Sequence, residues 1–155
     1  MRFLLSCFIA ILFFNVSAQD YTSEILLDNA KNGFLLFRLP TQSKKIEALR
    51  RAGQNEEGDK LKANMEVEQQ AWVNAFKAEY DYGKVYFFFD YNARAIAAGD
   101  LSSVFDFNFN LEENLEENLE ENFLVAGPDQ TKTFNLNGIV ILTPEMKEVP
   151  KKMPK

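Results

Sequence analysis

From residue 33 onward the chain switches between short unbroken apolar runs and longer stretches with a helical repeat. Gly33-Phe34-Leu35-Leu36-Phe37-Arg38-Leu39-Pro40 is an apolar run closed off by Gly and Pro, which predicts a buried strand. Lys44 to Ala52 predicts a short helix capped by Thr41 or Ser43, with Glu47 and Arg51 as an i,i+4 pair and Gly53 ending it. A second helix is predicted from about Asn55, with Glu56 and Glu57 in the favourable first turn, to about Tyr80, passing through Gly58. Leu61, Met65, Trp72, Phe76 and Tyr80 fall on one side of it, a stripe suited to covering a sheet rather than holding a ligand. Val85-Tyr86-Phe87-Phe88-Phe89 follows the Tyr82-Gly83 turn as a continuous apolar run, the mark of a strand covered on both faces, and is predicted as the central strand. Asp90 is placed to cap a short helix from Asn92 to Ala98, closed by Gly99.

Beyond Val104 the period changes. Phe105, Phe107, Phe109 and Leu111 alternate with Asp106, Asn108 and Asn110, which is strand periodicity. Residues 111–122 are the unit Leu-Glu-Glu-Asn three times over. A period of four drifts by roughly 40° per unit around a helix of 3.6 residues per turn, so its leucines make a slowly winding stripe. Asn at every fourth position and Glu repelling Glu at i,i+4 weaken that helix, so a solvated, marginally helical insertion is expected. The glutamates attract a hard cation in principle, but the Gly turn and ligand spacing of a calcium loop are missing. The last third carries strand signals: Phe123 to Ala126, a Gly127-Pro128-Asp129-Gln130 turn, Thr131 to Leu136, then Asn137-Gly138 as a hairpin cue before Ile139 to Thr143.

This order predicts a single small α/β or α+β domain over residues 33–143. Its mixed sheet would have a long helical crossover between two parallel strands and a C-terminal β-hairpin. A polar lead-in at 19–32 precedes it, the acidic repeat is inserted at 111–122, and an extended or disordered tail follows at 144–155. The order of elements resembles a thioredoxin-type sandwich in topology alone. Pro40-Thr41-Gln42-Ser43 stands where that family's Cys-x-x-Cys would follow the first strand, and no closing helix follows Thr143, so the resemblance implies no redox role.

Residues 1–18, MRFLLSCFIAILFFNVSA, read as a secretory signal peptide: Arg2 is the positive region, Phe3 to Phe14 the apolar region, and Val16-Ser17-Ala18 a small-residue cleavage site before Gln19. The apolar run falls short of the roughly 20 residues that span a membrane. Lipoprotein processing at Cys7 would leave only Phe3 to Leu5 ahead of the cut, too short an apolar region. A secreted or periplasmic chain with no membrane span after processing is expected.

Composition then narrows the chemistry. The chain has no histidine, and its one cysteine, Cys7, leaves with the leader. Ser–His–Asp and Cys–His nucleophile systems are excluded, and zinc, copper, haem and iron–sulfur sites lose their usual ligands, so no metal and no cofactor is expected. The net charge of −6 becomes −7 without Arg2, but six of the acids lie in the repeat, so there is no basic footprint for nucleic acid. Asp90, at the carboxyl end of the predicted central strand, is the best-placed carboxylate, with Glu79 as a possible acid/base partner and Asp81 and Tyr82 just before the strand. The basic residues Lys44, Lys45, Arg50 and Arg51 offer either a solvated face or a surface for an anionic polymer. Two classes follow. The first is an exported, non-catalytic binding or structural module whose partner is a protein, an envelope polymer or a small ligand. The second is an exported enzyme using carboxylate or Tyr/Lys chemistry near Asp90, independent of metals and thiols.

Overall fold

Gly33 and Pro40 bound a strand, β1 (Phe34–Leu39), in the computed structural model, which describes residues 32–112, 115, 123–130 and 137–147. The predicted leader, the lead-in up to residue 31 and the tail from residue 148 lie outside the described residues. After β1 come two helices, α1 (Ser43–Arg51) and α2 (Asn55–Glu79), then β2 (Lys84–Phe89). A 3-10 turn (Asp90–Asn92) leads into α3 (Ala93–Ala97), and the strands β3 (Phe123–Gln130) and β4 (Asn137–Leu142) complete a small α+β domain.

Both glycines predicted to end helices do so by the same physics. Gly53 at φ 78° lets its own N–H reach the carbonyl of Arg50 and that of Gln54 reach Leu49; Gly99 at φ 87° repeats the arrangement with Ile96 and Ala95. The start of α1 differs from the expectation. Its cap position is Gln42, in the left-handed region and without a side-chain cap bond.

The four strands lie in the order β2-β1-β3-β4. β1 pairs in parallel with β2 on one side and with β3 on the other, and β4 closes the sheet antiparallel to β3. The long helical crossover between parallel strands is therefore present. The central position is not where the sequence put it: β1 is flanked on both sides, and β2 is at the border of the sheet. Its aromatic run is buried because Phe105 bonds across its outer edge, Phe87 N–H to Phe105 carbonyl and the reverse, each at 2.9 Å.

Alternation along β1 divides the core. Phe34 and Leu36 face one layer with Phe88, Phe123, Val125 and Leu142, packed beneath Ile96, Leu101 and Val104. Leu35, Phe37 and Leu39 face the other with Val85, Phe87, Leu124 and Ala126, beneath Val73, Trp72 and Phe76 of α2. The second half of the predicted stripe, Trp72, Phe76 and Tyr80, is sheet cover, with the ring of Phe76 4.5 Å from that of Phe37, whereas Leu61 and Met65 are not part of the cluster on the sheet.

The C-terminal pair differs from its prediction in where it turns. Gly127 to Gln130 continues β3 and pairs with Val140 back to Asn137, so Asn137-Gly138 lies within β4 opposite Gln130 and Asp129. The predicted strand from Thr131 to Leu136 lies outside the described residues. Pro128 is tolerated in β3 because pairing with β1 ends at Ala126.

Most of the acidic repeat also lies outside the described residues, but Leu115 within it does not behave as part of a solvated insertion. Leu111 bridges Phe105, and Leu115 is only 6% exposed, packed into the layer of Phe34 and Phe123. The alternating segment before it forms a tight turn rather than a strand. Asp106 accepts bonds from the N–H groups of Asn108 (2.8 Å) and Asn110 (2.9 Å), with Phe109 at φ 62° between them.

Candidate functional site

Helix α2 is longer than the sheet it covers. Its 25 residues rise about 37 Å, whereas a six-residue strand spans about 20 Å. Its second half lies on the sheet, and its first half, paired with α1, extends beyond the carboxyl ends of β1 and β2. Gln69, buried at the changeover, donates from Nε2 to the Pro40 carbonyl at 2.7 Å and fixes α2 to the end of β1.

An open cleft of about 330 Å³ forms there, lined by Thr41, Ile46 and Arg50 on one side and Met65, Gln69, Phe89 and Tyr91 on the other. A second opening of similar volume lies across Tyr91, lined by Phe89, Asn92, Ser102, Ser103, Phe105 and Phe109. The wall between the two is a stacked pair, Phe89 and Tyr91, with ring centroids 5.5 Å apart and planes 26° apart. Tyr91 is 60% exposed.

Asp90 sits between these rings in the chain, at the strand end where the sequence placed it, but its carboxylate turns toward the β1–α1 connection. The Thr41 hydroxyl donates to Oδ1 at 2.5 Å and the Thr41 N–H to Oδ2 at 3.2 Å. Asp90 therefore neither caps the following helix nor faces a second acid. Glu79 ends α2 just before β2 begins, so a strand's length of about 17 Å separates it from Asp90; Asp81 and Tyr82 are at that same far end. The candidate acid/base pair is not assembled.

The charged groups around the first cleft are matched locally. Arg50 meets Asp59 at 2.8 Å, Glu47 meets Arg51 at 2.8 Å, and Lys62 meets Glu66 at 3.7 Å. Two of the four cations in the basic helix are thus engaged, while Lys44 and Lys45 stand on its exposed face. Around the second cleft, Ser102 donates its hydroxyl (2.6 Å) and its N–H (3.1 Å) to Asp100, which holds that carboxyl below its usual range. The neighbouring Ser103 hydroxyl is buried without a hydrogen-bond partner among the described residues. In the same way, Asp106 is partly desolvated, which raises its pKa, but the four bonds from Asn108 and Asn110 outweigh this and leave it low.

No grouping of three or more His, Cys, Asp or Glu side chains suited to a metal ion occurs among the described residues. No described helix is long and apolar enough to cross a membrane. Sequence reasoning passed over the Phe89 and Tyr91 ridge, although an aromatic residue two positions beyond a strand's last aromatic was a usable signal. No protein-family model, curated protein or solved structure matches this chain, so the thioredoxin-type resemblance gains no support beyond the order of elements.

Proposed function

We propose that the chain is an exported, non-catalytic binding module that takes its ligand against the Phe89 and Tyr91 ridge, in the clefts beyond the carboxyl ends of β1 and β2. One observation carries the choice of binding over catalysis: each oxygen of Asp90 accepts a bond from Thr41, so the carboxylate best placed for chemistry is spent on joining β2 to β1. The surroundings support it. Clefts at strand carboxyl ends, with apolar walls and a few polar groups, are common ligand sites in open sheets. Here the walls are aromatic, and the Ser103 hydroxyl offers an unused donor and acceptor. Of the partner classes open to an exported chain, an envelope polymer is the one proposed, because a polymer can lie across both clefts.

The test is co-sedimentation with insoluble envelope polymer, paired with a panel of chromogenic ester, glycoside and phosphate substrates. Retention of the native chain, a tenfold or greater loss in Tyr91→Ala, and no turnover are expected. Turnover abolished by Asp90→Asn would replace this reading with the enzymatic one.

A further inference from the structure

We propose that β4 is the contact through which two copies of this chain join into one eight-stranded sheet. Among the described residues β4 pairs on one side only, with β3. An open edge strand presents unpaired backbone groups to any other strand, and proteins that stay single blunt such edges with charges, prolines or bulges. The stretch Asn137-Gly138-Ile139-Val140-Ile141-Leu142-Thr143 has no ionisable residue and no proline. A chain whose net charge is −6 can therefore meet itself here without opposing like charges.

The apolar side chains point the same way. Leu142 is buried in the core, but Ile139 and Ile141, on the opposite face of the strand, are 52% and 48% exposed. Side chains directly opposite each other in an antiparallel pair share a face, and a slip of one residue would reverse every face. Aligning the two strands end to end, Asn137 against Leu142, is such a reversed register. The permitted register with Val140 opposite its own copy sets Ile139 of each chain against Ile141 of the other. That makes a four-isoleucine cluster on one face, flanked there by Asn137 against Thr143, with Gly138 against Leu142 on the other face beside Val140.

Growth would stop at two. Among the described residues the other border of the sheet, β2, is already bonded at Phe87 to Phe105, so it is not an open edge of the same kind. The contact is two-fold and closed.

Sedimentation equilibrium of the purified chain, from micromolar to near-millimolar concentration, should show a reversible monomer and dimer. Ile139→Lys with Ile141→Lys should give monomer throughout, with the circular dichroism spectrum unchanged because both side chains are about half exposed, and with a melting temperature that no longer rises with protein concentration. In the chain from Gln19, which has no other cysteine, Val140→Cys should cross-link two chains under oxidation, whereas Val67→Cys, on the exposed face of α2, should not. A wild-type chain that stays monomeric overturns the proposal. So does a dimer that survives the double lysine variant, or one that fails to cross-link at position 140.

Discussion

Thr41 and Asp90 are 49 positions apart and meet through two hydrogen bonds, one from a hydroxyl and one from a backbone N–H. Removing the acceptor leaves the N–H of a part-buried connection without a partner. Asp90→Ala is therefore expected to cost about 1–3 kcal/mol in urea unfolding, where a loss near zero would show that water replaces the carboxylate. Asp106 predicts a pH effect of definite sign. Its pKa is lower in the folded chain than in the unfolded one, so its contribution is present above the ordinary carboxylate value of about 4 and is lost as pH falls below it. Because the group is near the surface, the loss should be local. Protection of the Asn108 and Asn110 amides, relative to their intrinsic exchange at each pH, should fall below about pH 4 while the strands stay protected. The location of Asp90 at a strand end was legible in the sequence, since an acid after five apolar residues can only mark the strand's exit. Its partner was not, because a bond across 49 positions leaves no periodic trace.

At the scale of elements, two glycines five positions apart should respond with opposite signs. Gly53 ends α1 in the left-handed region, so Gly53→Ala should destabilise by about 1 kcal/mol. Gly58 lies inside α2, where an added Cβ would come 3.4 Å from the flexible Arg50 side chain, so Gly58→Ala should stabilise by about 0.5–1 kcal/mol. Thermal denaturation of both variants decides it. A second contrast separates the repeat's two described leucines. Leu115→Ala should cost about 2–5 kcal/mol, as a core truncation does, and Leu111→Ala, 63% exposed, no more than about 0.5 kcal/mol. Helix spans, the sheet-covering half of the stripe on α2 and the first two strands were readable, because each is written in local spacing. The central strand was misread because a run of apolar residues reports that both faces are covered and is silent on edges; β2 owes part of its cover to Phe105, a residue outside any strand. Asn137-Gly138 misled for the converse reason. A dipeptide's liking for turns yields to the pairing of a longer strand.

For the molecule as a whole, the proposed leader predicts a processed form that begins at Gln19, and mass spectrometry of the extracytoplasmic fraction should find that N-terminus if the proposal of export holds. A species beginning at a lipidated Cys7 would refute it. The clefts escaped the sequence for a reason of scale: they depend on α2 outreaching the sheet, and neither length is meaningful until the two are laid side by side.

The strand at the centre of the sheet is also the first of the described strands to be synthesised. Phe34 takes one neighbour from Lys84 and the other from Phe123, so half of its pairing waits on a segment made long after it. Contacts this distant in sequence close slowly, and a partial chain has nothing to close on. Until Phe123 is made the sheet therefore cannot close, and the proposed export would meet a thread rather than a finished body.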